Sequence, residues 1–224
     1  MQALSQPSEP VVHATPLSVK EKLQRLDIPL ELLIAGAQAG FIERQNASRG
    51  DPVTKAGTDA WSYPVRVVRE GLEARGWRLD DPKNLPLVIS DERKINVTVS
   101  SGDEMTGVEK PRRPPRSKNP KGVLLECAVE RNIGQFDMFP DELPENVMKF
   151  DKTLEYPTWV FLLYITDDEI RAELSLPNSI DGSDHLDGWA ERIVLHVPLP
   201  DEEQIDDTDN GEGAEIVPTV TAKI

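Results

Sequence analysis

Apolar positions along the chain follow a helical period first and a strand period later. Val19, Leu23 and Leu26 recur at helical spacing behind Ser18-Val-Lys-Glu21. That is a capping box, in which Ser18 accepts from the third helical N–H and Glu21 reaches back. Asp27-Ile-Pro29 ends this helix and opens a second over about 30–46, with Leu30, Leu33, Ile34, Ala37 and Phe41 at helical spacing. Gly36 and Gly40 lie four apart and leave room for a neighbour's backbone. Two helices across a short turn can form a DNA-binding unit, but the second is rich in Ala, Gly and Leu. It has few side chains able to reach base edges, so packing is the better reading. A Gly/Asp/Pro/Thr loop over 47–58 precedes a third helix over about 62–75. Its Val65, Val68 and Leu72 form the buried stripe, Arg66, Arg69, Glu70 and Glu73 face solvent, and Gly76 stops it.

The period then changes to two. LPLVIS, the turn DERK and INVTVSS read as a hairpin, with Ile95, Val97 and Val99 alternating with Asn96, Thr98 and Ser100. VLLECAVERN reads as a helix ended by Gly134, although its Val and Leu content leaves a strand open. TWVFLLYIT is apolar on both faces, as a central strand is. IRAELSLP alternates Ile170, Ala172, Leu174 and Leu176 with Arg171, Glu173 and Ser175, and AERIVLHV follows a turn-rich stretch as the last strand. These elements predict an α+β domain over 17–198 with a mainly antiparallel sheet of about five strands and helices packed on it. Residues 1–16 and 199–224 are expected to be disordered tails, the second strongly acidic. Within the domain, 102–122 is a long irregular connection, because prolines 111, 114, 115 and 120 forbid a helix or a central strand.

Charge sharpens this picture. The formal net charge is −15 over 224 residues. Residues 1–101 balance 13 acids with 13 bases, 102–122 carry 3 acids and 6 bases, and 123–224 carry 24 acids and 6 bases. A neutral half with a basic loop faces a half of net charge −18, and such asymmetry suggests a charged partner. The single cysteine, Cys127, rules out an intramolecular disulfide and reads as a small buried apolar residue. The N-terminal stretch lacks the basic and apolar regions of a signal peptide, and no apolar run approaches the roughly 18–20 residues a membrane span needs. A soluble cytoplasmic protein is expected.

Few residues stand in patterns that carry chemistry. His13, His185 and His196 have no partner at ligand spacing, and phosphate-loop and nucleophile-elbow patterns are absent. Asp181, Asp184 and Asp187 lack the terminal bidentate Glu of a calcium loop. No residue is assigned a catalytic, metal-binding or cofactor role. A helix followed by antiparallel strands, with Asp80, Asp81, Glu92 and Lys94 nearby, resembles the restriction-endonuclease-like nucleases in element order. That resemblance implies Mg²⁺ held by an Asp and the Glu of an E-x-K. Here Glu92-Arg-Lys94 falls in the hairpin turn and the following strand offers no carboxylate, which fits an inactive relative better than an enzyme.

Two surfaces can recognise partners. Lys110, Arg112, Arg113, Arg116, Lys118 and Lys121 fall within twelve positions of the Pro-rich loop. They suit non-specific contact with a nucleic-acid backbone, or attraction to the protein's own acidic half. The second surface is GQFDMFP, residues 134–140. Gln135-Phe-Asp-Met-Phe139 resembles the bacterial sliding-clamp-binding motif, typically Q-L-[S/D]-L-F. The resemblance implies that Gln135 bonds at a pocket rim, Met138 and Phe139 plug an apolar pocket, and Phe136 adds a side contact. Phe at the second place and Met at the fourth depart from the usual Leu. WSYPVRVVREGLEARGWRL with the hairpin and basic loop also resembles proteins of bacterial conjugative elements and prophages. The expected function is a non-enzymatic accessory protein of a mobile element that binds DNA-handling machinery, with the sliding clamp as candidate partner. The alternatives are an anti-defence inhibitor whose acidic half imitates nucleic-acid charge, and a restriction-endonuclease-like nuclease or inactive relative.

Overall fold

The computed structural model describes residues 9–133 and 155–200. In chain order the elements are β1 (Val11–His13), α1 (Pro16–Leu26), α2 (Leu30–Gln45), α3 (Lys55–Glu73), β2 (Arg78–Asp80), β3 (Leu87–Ser90) and β4 (Ile95–Ser101). Then come α4 (Val123–Asn132), β5 (Thr158–Ile165), β6 (Ile170–Ile180) and β7 (Leu186–Leu195). The strands form one seven-stranded sheet in the order β1-β7-β6-β5-β4-β3-β2.

The α+β class holds, but the sheet is larger than expected and mixed. β4 and β5 pair in parallel, as do β1 and β7, while the other neighbours are antiparallel. The β4–β5 pairing follows from α4: a helix between two adjacent strands returns the chain to the same end of the sheet, as a parallel pair requires. Two strands escape the hydrophobic pattern because each has only three residues. β2 is Arg-Leu-Asp, and β1 is Val-Val-His inside the Pro-rich segment expected as a tail. β1 covers the outer edge of β7, and His13 Nε2 lies 2.7 Å from Glu191 Oε1 across that edge.

Three boundaries also shift. Thr15, not Ser18, caps α1: the Ser18 N–H donates to Thr15 Oγ1 at 3.3 Å, and Pro16 occupies the first turn. α3 starts at Lys55, one and a half to two turns before the expected position, and carries Pro64 inside it. β7 starts at Leu186 rather than Ala190.

Helices α1, α2 and α3 cover one face of the sheet. Leu33, Val68 and Leu72 pack there against a core that includes Val97, Phe161 and Leu174. Each fully buried side chain of this size contributes about 1.5–3 kcal/mol. The two glycines of α2 do what their spacing implied. A Cβ on Gly40 would lie 2.6 Å from Pro64 Cγ and 2.8 Å from the Ala60 carbonyl oxygen, so α2 and α3 touch closely there. α3 ends at Gly76 (φ +89), whose N–H donates to Glu73 O at 2.8 Å while Trp77 N–H donates to Leu72 O at 3.1 Å. That pairing is a Schellman cap, and it buries Trp77.

The opposite face carries α4. Leu124, Leu125 and Ala128 pack on Val160, Leu162, Leu186 and Trp189. Beside α4, residues 102–122 lie across the sheet as an ordered strap. Among the described residues, no helix is long and apolar enough to cross a membrane.

Candidate functional site

On the strap-covered face the strands present Asn96, Thr98, Ser100, Thr158, Glu173, Ser175 and Arg192, every one of them buried. A sheet face of this kind must be covered by hydrogen-bonding groups, and the strap supplies them. Arg192 forms a bidentate pair with Glu173, with Arg192 Nε 3.1 Å from Glu173 Oε1 and its NH2 on Oε2. Gly107 N–H donates to Glu173 Oε2 at 2.9 Å and Ser175 Oγ donates to Oε1 at 2.9 Å. Arg192 NH2 also donates to Val108 O at 3.0 Å. Farther along, Trp189 Nε1 donates to Pro115 O at 2.8 Å, Ser117 N–H to Leu186 O at 3.0 Å, and Arg171 NH1 to Glu104 O at 2.6 Å. Prolines without N–H groups suit such a strap, because carbonyl oxygens make many of its contacts.

This docking redistributes the six basic residues. Arg113 pairs with Asp103 and, at 2.8 Å, with Glu104. Arg112 lies 3.7 Å from Glu104, and Arg116 pairs with Asp181. Lys110 and Lys118 are exposed. Lys121 turns inward: its Nζ donates to Ser100 Oγ at 2.6 Å, and its backbone N–H donates to Asp184 O at 2.6 Å. Three of the six, Arg112, Arg113 and Arg116, therefore meet the protein's own carboxylates, and the loop does not present six free cations on one face.

Lys121 lines a cleft of about 290 Å³. Trp61, Leu85, Pro86 and Leu125 wall it with apolar surface, while Asn84, Asn119, Thr98 and Ser100 add polar groups. The indole N–H of Trp61 donates to Val99 O at 3.1 Å, which fixes the ring. Thr98 Oγ1 donates to Pro86 O at 2.8 Å. Burial pushes the Lys121 ammonium down to about 8. A second cleft of about 340 Å³ lies outside the carboxyl ends of the parallel pair β4 and β5, with Arg44, Ser101, Asp103, Glu104, Lys118 and Tyr164 around it. Ser101 borders both.

The carboxylates weighed for a nuclease do not converge. Asp80 pairs with Leu87 at one end of β3, whereas Glu92 follows Ser90 at the other. Asp81 is engaged by Arg69 at 2.8 and 2.6 Å. Among the described residues, no cluster of three His, Cys, Asp or Glu side chains has the geometry to hold a metal. Asp181 organises its own turn, accepting from Ser183 N–H at 2.8 Å and His185 N–H at 3.1 Å. Cys127 is buried, and burial pushes its thiol up.

Gln135, Phe136, Met138 and Phe139 lie outside the described residues. The anchor beside them does not. Asn132, the last residue of α4, donates to Thr158 O at 3.2 Å and to Pro177 O at 2.8 Å, and accepts from Thr158 N–H at 2.9 Å. One side chain thus ties the residue where the chain leaves α4 to the residue where β5 begins. Sequence reading missed three features here: the Asn132 anchor, the Glu173–Arg192 pair and the Lys121 cleft. The only sign of the last was a lysine directly before a helix start. No family model matches the chain, and no curated protein or solved structure matches it at a significant level.

Proposed function

We propose that this chain is a non-enzymatic accessory protein of a bacterial mobile element, which docks onto DNA-handling machinery through Gln135–Phe139, with the sliding clamp as its partner. The observation that supports this reading is the Asn132 anchor. Its three hydrogen bonds hold the two ends of the connection between α4 and β5 together at the sheet. A segment tethered at one point on a rigid scaffold can carry a short motif while the domain stays packed, and the motif begins three residues past the anchor. In the clamp reading Met138 and Phe139 supply most of the affinity, because apolar plugs dominate short-motif recognition. Full-length protein is expected to retain purified clamp in a pull-down, and Met138→Ala with Phe139→Ala to abolish that retention. Unchanged retention by the double variant, or no retention by the wild type, overturns the proposal.

A second reading, an anti-defence inhibitor imitating nucleic-acid charge, is favoured by the partition of charge: residues 123–224 carry 24 acids and 6 bases.

A further inference from the structure

We propose that the cleft between α3, the strap and the start of α4 binds a small organic anion, one with a flat apolar body and a single carboxylate or phosphate group that seats on Lys121. Three observations converge on this. First, the cation in the cleft meets a hydroxyl, Ser100 Oγ at 2.6 Å, and no carboxylate among the described residues. Burying an ammonium without a counter-charge is unfavourable, and an anionic ligand would relieve that cost. The contrast on the same sheet face is Arg192, whose carboxylate partner lies within the fold. Second, the chemistry of the walls is divided. Trp61, Leu85, Pro86 and Leu125 offer apolar surface, and Asn84 and Asn119 offer amides that can orient polar substituents. A bare inorganic ion would leave the apolar wall uncovered. Third, the size fits: about 290 Å³ lies near the lower end of small-molecule sites.

The Trp61 indole N–H is held by Val99 O, so the ring edge is fixed and the ring's exposed surface is left for a flat ligand. Trp61 as a residue is 36 % exposed. Helix α4 begins beside Lys121 with Gly122 as a cap that supplies no side-chain acceptor, so the helix dipole adds to the same positive field. The proposal is independent of the clamp reading, since no residue of the cleft belongs to the docking motif.

The test uses full-length protein and amide and indole nuclear magnetic resonance signals, with phenyl phosphate, benzoate and inorganic phosphate as probes up to about 10 mM, well into the weak-binding range. Saturable shifts of the Trp61 indole and the Asn119 and Lys121 amides are expected with phenyl phosphate or benzoate. Inorganic phosphate should bind more weakly. A stronger response to phenyl phosphate assigns a phosphate ester, and a stronger one to benzoate assigns a carboxylate. Lys121→Met should weaken binding at least tenfold, about the loss of one charge-assisted contact. Because that change removes a partly buried cation, the variant is expected to fold, and Lys121→Gln provides a second test with a polar replacement. No saturable shift in the cleft with any probe, or unchanged affinity in both variants, overturns the proposal. Equal affinity for inorganic phosphate overturns its organic part.

Discussion

Arg192 and Lys121 both bring positive charge to the strap-covered face of the sheet, and the fold treats them differently. Arg192 has both oxygens of Glu173, and Glu173 in turn has Gly107 and Ser175. Removing Arg192 leaves Glu173 charged and buried without a counter-ion, so Arg192→Met is expected to cost about 3–5 kcal/mol in urea denaturation. A loss below about 1 kcal/mol would mean that the pair contributes no more than an exposed one. Among the described residues the Lys121 ammonium has only Ser100, and its position low in the lysine range ties stability to pH. Above the ordinary value of 10.5 the amine is neutral both folded and unfolded and costs nothing. As pH falls from 10.5 towards about 8 the unfolded chain takes up the proton first, so stability declines across that window. Below about 8 both states are protonated and the full penalty, about 3 kcal/mol, is present. The difference in unfolding free energy between Lys121→Met and wild type should therefore shrink as pH rises from 8 to 10.5. A difference that stays flat across that interval would show that the lysine is not desolvated. Neither residue could be read from the pattern alone. Alternation correctly assigned Arg171, Glu173 and Ser175 to one strand face, but a period of two cannot say whether that face meets water or a strap.

At the level of elements, the strap explains why the polar strand faces are compatible with a folded core. It closes over them through backbone groups, and Gly107 is one of its points of close approach. Gly107 has φ +70, and a Cβ there would lie 2.9 Å from Ala172 N and 2.9 Å from Arg171 Cβ. Both the backbone angle and the close approach need glycine. Gly107→Ala should lift the strap from β6 and weaken the Gly107 bond to Glu173. Limited trypsin digestion is then expected to cut after Arg112 and Arg116 several-fold faster than in wild type, with cleavage mapped by mass spectrometry. Equal cleavage rates would mean that the strap is held elsewhere. The long apolar elements were legible because their periods are sustained: α2, the β3–β4 hairpin, α4, β5 and β6 all lie where the hydrophobic pattern puts them. β1 and β2 were not, since three residues carry no usable period. The parallel β4–β5 pair was implicit in the order of elements. The pattern puts a helix between those strands, and a crossover of that kind makes adjacent strands parallel. The strap's prolines exclude regular structure, yet irregular does not mean loose: the strap covers the sheet beside α4.

For the molecule as a whole, the open contest is between a hook and a charged surface, and the fold bears on it through where negative charge is already matched. Asp167 pairs with Arg44, Asp181 with Arg116, Glu173 with Arg192, and Glu191 with Lys22. Carboxylates matched in this way offer little field to a distant basic groove. The imitation reading therefore leans on charge beyond the sheet. Residues 201–224 hold eight acids against one lysine, and deleting them takes the formal net charge from −15 to −8. The two readings diverge on that deletion. If docking runs through Gln135–Phe139, a chain ending at Pro200 keeps its clamp retention, because the motif lies outside the deleted residues. If charge imitation is the function, the same truncation weakens binding to a basic target markedly. With polyarginine as the probe, the slope of log affinity against log salt becomes shallower by an amount that follows the charge removed. Clamp retention lost on truncation, with Met138 and Phe139 intact, would count against the hook and move the binding energy to the acidic tail.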